Sequence, residues 1–257
     1  MSIDRGRATQ AFDSYVAAYD PANPRIALKV AHTWRVASLC DRIAISESLD
    51  TDLAWLCGLL HDIGRFEQVR RFDTFNDAAS VAHAALGAEL LFGADGASSG
   101  LIRTFASDDT QDELIHTVIA THSDYRLPHD LDPRTRAYCD VLRDADKIDI
   151  LKVNCICPIK DIYGVTELDM AASELSPAVV DAFYEHHTIP RDIRSYPADI
   201  LVGHICFAWE LVYPESRVIL LEQGRLEHML SRRFANPRTQ ATFQAMANHM
   251  REQFCHP

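Results

Sequence analysis

The chain has no long unbroken apolar run. Its longest apolar stretches are Leu53–Leu60 and a run from Ile200 to Val212 that His204 and Glu210 interrupt. Neither reaches the roughly 18 residues that a membrane span needs. No basic segment leads into an apolar one at the start, so no secretory signal is expected. Positive charge is scarce: 25 Lys and Arg stand against 37 Asp and Glu, a formal net charge of −12. Such a chain is a poor candidate for non-specific DNA binding, which rests on Lys and Arg at phosphates. If its substrate is anionic, local cations must overcome the global field, and bound metal ions are the obvious kind. Cysteine is present but unpatterned. The seven, at 40, 57, 139, 155, 157, 206 and 255, are odd in number and contain no CxxC. A reduced, cytoplasmic protein is expected.

What remains is apolar and helical. With 257 residues, 47% hydrophobic and 24% charged, the chain suits one large domain able to bury a core without staples. Apolar positions recur at helical spacing, and strict alternation is rare. The pattern predicts helices near 8–18, 25–46, 52–63, 78–92, 111–123 and 134–152, with several more between about 176 and 254. Thr51 and Asp52 are suited to cap the third helix and Gly64 to stop it. Pro133 fits the first turn of the sixth. Residues 93–100 are expected to form a flexible loop, and 153–175 an irregular stretch that covers a site or joins two halves. The expected fold class is all-α.

Histidine placement carries the functional signal. On the second helix Leu28, His32, Val36, Leu39 and Ile43 share a face. On the fourth, Ala79, His83, Leu86 and Leu90 do so, and on the fifth Ile115, Val118, Ile119 and His122. The third helix closes in His61-Asp62. One imidazole on an apolar face is usually a hydrogen-bonded core residue. Four of them on four helices, one beside an aspartate, point to a metal site inside a helical bundle, since burial keeps imidazole neutral and a buried carboxylate needs a cation. A second doublet, His129-Asp130, follows Pro128 in a polar turn and reads as surface. A further acid is expected from the helix 134–152. Asp144 and Asp146 both lie on apolar stripes there, and periodicity does not choose between them.

These residues resemble the HD-domain superfamily of metal-dependent phosphohydrolases. The motifs are His32-Thr-x-Arg35-Val, Leu59-Leu60-His61-Asp62-Ile63-Gly64, His83-x3-Gly87-Ala88, His122-Ser123 and Arg143-Asp-Ala-Asp146-Lys147, covering about residues 25–152. The resemblance implies an all-α HD-domain bundle with additional C-terminal helices over about 176–257. It implies His32, His61, Asp62 and Asp146 as ligands of a first metal, Asp146 being the acid of the family's Ala-Asp-Lys signature. His83 and His122 match the extra histidines of the dinuclear branch, where the doublet's Asp bridges two ions; in single-metal members similar residues are also found. One or two divalent ions are therefore expected, Mn, Fe, Co, Ni or Zn, with Mg also compatible. The implied substrate is a small phosphorylated molecule, attacked by a metal-activated water. Candidate phosphate contacts are Arg35, Arg65, Arg126 and Lys147, with Arg65 the strongest because it stands three residues past Asp62. Two alternatives stay open: a dinuclear iron oxygenase with the same ligands, and a non-catalytic nucleotide sensor.

Overall fold

A computed structural model describes residues 3–93 and 100–255. The expected loop at 93–100 therefore falls largely outside the described residues. Among those described there is no strand, and the fold is all-α. Among the described residues no helix is long and apolar enough to cross a membrane. The chain divides into two compact units, Met1–Ala145 and Asp146–Pro257.

The first unit contains α1 (Arg5–Val16), α2 (Pro24–Ser46), α3 (Thr51–Leu60), α4 (Ile63–Phe72), α5 (His83–Phe92), the short α6 (Ile102–Phe105), α7 (Asp112–Thr121) and the start of α8 (Pro133–Ile156). Side-chain caps set the helix starts. Asp4 accepts from the Arg7 amide, and Asn23 from the Arg25 amide just past Pro24. Asp50, one residue before the expected Thr51, caps α3 by accepting from the Asp52 and Leu53 amides. Every residue of Leu53–Leu60 is buried, so α3 is the central helix, covered on all sides. Along it lies α2, while α4, α5 and α7 complete the bundle. At Gly58 an added Cβ would lie 2.7 Å from the Ala37 Cα, which shows how closely the α2 and α3 backbones approach. Phe12 of α1 closes one end edge-on against Phe66 and Trp34, with ring centroids 6.0 and 5.4 Å away.

Gly64 does not end α3. That helix stops at Leu60, and Gly64 lies in the first turn of α4, a helix the sequence reading left out. The glycine is needed there for another reason. A Cβ would stand 2.2 Å from the His83 carbonyl oxygen and 2.6 Å from the Gly87 nitrogen, so α4 meets α5 backbone to backbone.

The second unit holds the rest of α8 and then α9 (Ile159–Tyr163), α10 (Glu167–Ala172), α11 (Pro177–Phe183), α12 (Pro197–Ile205), α13 (Pro214–Gln223), α14 (Arg225–Leu230) and α15 (Pro237–Met250). The stretch expected to be irregular is largely helical: α8 runs on to Ile156, and α9 and α10 follow. Met170, Val179, Phe183, Leu201, Ile205, Leu220 and Phe243 are among its buried core residues. The fully buried Asp199 accepts from the Ser176, Ser195 and Tyr196 amides and the Ser176 hydroxyl, which ties the start of α12 to the start of α11.

Candidate metal centre

The break after α3 creates the centre. His61 is the C-cap of that helix, and its Nδ1 lies 2.8 Å from the Gly58 carbonyl. A carbonyl only accepts, so Nδ1 donates and the Nε2 lone pair faces the interior. His122 repeats the device at the end of α7, with Nδ1 2.7 Å from the Ile119 carbonyl. Each ring thus occupies one of the last-turn carbonyls that a helix leaves unpaired. Arg143 on α8 secures the end of α7, donating to the carbonyls of Thr121, His122 and Asp124 at 3.3, 3.0 and 2.7 Å.

Asp62 lies at the middle of four imidazoles. Its Oδ2 is 3.4 Å from His32 Nε2 and 3.3 Å from His61 Nε2. Its Oδ1 is 3.5 Å from His83 Nε2 and 3.9 Å from His122 Nε2. All five residues are buried. They form two groups able to hold a metal, His32–His61–Asp62 and Asp62–His83–His122, whose ligand atoms lie within 4.8 Å of one another in each. Asp62 belongs to both, one oxygen per group.

The hydrogen bonds test whether a metal fits. His83 Nδ1 lies 2.7 Å from Asp77 Oδ2. Asp77 is held ionised: burial alone would raise its pKa, but the His83 hydrogen bond and the Arg65 charge outweigh this and lower it. His83 therefore donates from Nδ1, and burial lowers its own pKa, which favours the neutral ring. With both rings neutral, the two Nε2 atoms of the His83–His122 pair carry lone pairs, yet they stand 3.0 Å apart. Two lone pairs at that spacing repel, and a cation in reach of both resolves the conflict. Neutral imidazoles with a shared carboxylate suit a divalent transition metal.

Cations surround this core. Lys29, one turn before His32 on α2, places Nζ 2.5 Å from Asp62 Oδ2. Burial on its own would raise the Asp62 pKa; Lys29 and the facing His61 and His32 outweigh it and hold the carboxyl well below the usual range. Arg65 Nε lies 3.6 Å from Asp62 Oδ1. Its Nη1 donates to Gln68 Oε1, the Phe75 carbonyl and Asp77 Oδ1 at 2.7, 2.8 and 2.7 Å, while Nε is buried without a hydrogen-bond partner. The half-buried Phe75 presents its ring to both cations, 5.4 Å from Lys29 Nζ and 5.7 Å from Arg65 Cζ.

Five of the sequence candidates thus converge: His32, His61, Asp62, His83 and His122. Arg65 joins them at the edge. Arg35 is half-buried on α2, one turn past His32. Arg126 is exposed on the loop after α7, its guanidinium 4.4 Å above the Tyr125 ring. Asp144 is fully buried in the first unit, whereas Asp146 and Lys147 are half-buried at the opening of the second. His129-Asp130 is exposed, as its polar turn suggested. Lys29, Gln68 and Asp77 escaped the sequence reading. A signal for Lys29 existed, since a residue three before His32 lies on the same helix face. Nothing in the spacing of Thr74–Asp77 marks Asp77 as the partner of an imidazole.

Residues 30–153 match the family model of the HD domain. No curated protein and no solved structure matches the chain. The matched segment holds His32, His61, Asp62, His83 and His122. An all-α bundle, two buried groups fit for metal and this match agree: through residues 30–153 the chain belongs to the HD-domain superfamily.

Proposed function

We propose that the protein is a metal-dependent phosphohydrolase that cleaves phosphate esters of small molecules such as nucleotides. The observation that carries this reading is the division of the Asp62 carboxylate, one oxygen toward His32 and His61 and the other toward His83 and His122. It supports a centre in which Asp62 would help hold one ion with His32 and His61 and a second with His83 and His122. Asp146 is proposed as a further carboxylate ligand on its Ala-Asp-Lys signature. A bound divalent ion supplies water acidic enough to ionise near neutral pH and offsets phosphoryl charge.

The chain's own groups do the rest. His61 and His122 keep their Nε2 lone pairs inward because their Nδ1 protons are committed to carbonyls. Lys29 Nζ and Arg65 Nε, the latter without a hydrogen-bond partner, border Asp62 from two sides and are placed to receive phosphoryl oxygens. Lys147, Arg35 and Arg126 are proposed as additional phosphate contacts. Phe75 lies against both bordering cations and limits access of water to them.

The test is elemental analysis of the purified chain, followed by a panel of phosphate esters under anaerobic conditions with Mn, Fe, Co, Ni, Zn and Mg. Phosphate release that depends on metal and not on dioxygen is expected. Dioxygen uptake by the iron-loaded protein, with no phosphate released from any ester, overturns the reading in favour of an oxygenase. A chain that takes up none of these metals and binds nucleotides without cleaving them points to the sensor.

A further inference from the structure

The four imidazoles are not aimed in the same way. His61 and His122 are fixed by carbonyls three residues earlier in their own helices. His83 has no such anchor. It is the first residue of α5, and its Nδ1 depends on a carboxylate from the preceding loop, Asp77 Oδ2 at 2.7 Å. The loop carboxylate is itself held from α4: its Oδ1 accepts from Arg65 Nη1 at 2.7 Å and from Gln68 Nε2 at 2.9 Å. Gln68 Nε2 also donates to Ser80 Oγ and the Val81 carbonyl, at 2.9 and 3.0 Å, which pins the end of the loop that leads into His83. The chain of contacts closes on the centre, because Arg65 Nε and His83 Nε2 both approach Asp62 Oδ1.

We infer that Asp77 is a positioning residue for the His83–His122 side of the centre, so that occupancy of this side is set by the 73–82 loop and separately from the His32–His61 side. The inference rests on the two-ion reading above and adds to it which half is conditional. Without the Asp77 acceptor, the His83 ring loses the contact that keeps Nδ1 protonated and Nε2 inward. On the neighbouring side, Nδ1 of His61 is aimed by the Gly58 carbonyl of its own helix. Loss of a carboxylate behind a ligating histidine typically weakens metal binding about 10–100-fold. Here that loss falls on one ion of two.

The experiment is a Mn(II) titration with elemental analysis of the full-length wild type, Asp77→Ala and Asp77→Asn, alongside circular dichroism of each. The wild type is expected to hold two ions per chain. Asp77→Ala is expected to hold one with unchanged affinity and the other about 10–100-fold more weakly. Asp77→Asn, which keeps an acceptor oxygen, is expected to fall between them. A wild type with two ions and an Asp77→Ala variant with two equally tight ones overturns this inference alone. A wild type with one ion or none overturns the two-ion reading and the inference with it. A second readout needs no variant and covers the case in which neither variant folds. In the Zn(II)-loaded wild type, the ring-nitrogen shifts of His83 are expected to show a protonated Nδ1 and a metal-bound Nε2; the opposite pattern overturns the inference.

Discussion

Replacing Gly64 by Ala tests the backbone contact on which the centre is built. The new Cβ would lie 2.2 Å from the His83 carbonyl oxygen, 2.6 Å from the Gly87 nitrogen and 3.1 Å from the Gly87 Cα. Ordinary contact begins near 3.4 Å, so α5 must retreat from α4 by about 1 Å. No flexible side-chain end is available to yield, because every obstructing atom is backbone. Overpacking of this kind costs about 1–3 kcal/mol, and the upper end applies where backbone must move. For a chain of this size each kcal/mol lowers the midpoint by about 2–4 °C, giving a fall of about 6–12 °C. The same retreat shifts His83, so metal on its side of Asp62 should weaken as well. Gly87→Ala is the control across the same contact. Its Cβ would meet the Gly64 nitrogen at 3.3 Å and side-chain carbons at 3.5 and 3.6 Å, nearly ordinary distances. Helix propensity favours Ala over Gly by about 1 kcal/mol, so this variant should be close to neutral. Thermal unfolding followed by circular dichroism, with metal content measured in parallel, reads both. A Gly64→Ala protein with wild-type midpoint and metal content would refute the reasoning, as would equal losses in the two variants.

Three further outcomes are expected. Asp62→Ala should abolish bound metal and metal-dependent phosphate release while helical content stays at the wild-type level; a metal-replete, active variant counts directly against the centre. Lys29→Met removes the cation 2.5 Å from Asp62 Oδ2, so divalent metal should bind more tightly and an anionic substrate more weakly, each on the order of tenfold. Isothermal titration and KM measurements decide it, and shifts in the same direction would be inconsistent with a charge effect. In the second unit His204 has its pKa lowered to about 3 by burial, with Arg194 and Arg191 adding to it. The unfolded chain then binds the proton more readily than the folded one, so stability conferred by the neutral ring is intact above about pH 6.5 and declines as pH falls toward 3. Urea midpoints measured from pH 7 to 4 should fall, and fall less steeply in His204→Gln; parallel slopes would remove His204 as a cause.

The centre was more legible in the sequence than the helix boundaries around it. His32, His83 and His122 announced themselves because apolar stripes at helical spacing tell which way a side chain points. α4 was missed because Gly64 was read as a stop, although Ile63, Phe66 and Val69 continue at helical spacing past it. Gly64 looked like a stop signal, while its reason is the α5 backbone, a tertiary fact. Asp77 was invisible as a partner because a loop has no period to read. The choice between Asp144 and Asp146 came from the family signature, since α8 is apolar around much of its girth and both positions fit its stripes.

The carbonyl anchors of His61 and His122 have a consequence for engineering. Each spans only three residues, so the information that aims the ring is contained in a single closing turn, Gly58–His61 or Ile119–His122. Such a turn is portable. Transplanted onto the end of another buried helix, it should carry its imidazole already oriented, with no supporting network to rebuild. His83, which borrows its orientation from elsewhere in the chain, is the part of the centre that a graft must bring its surroundings for.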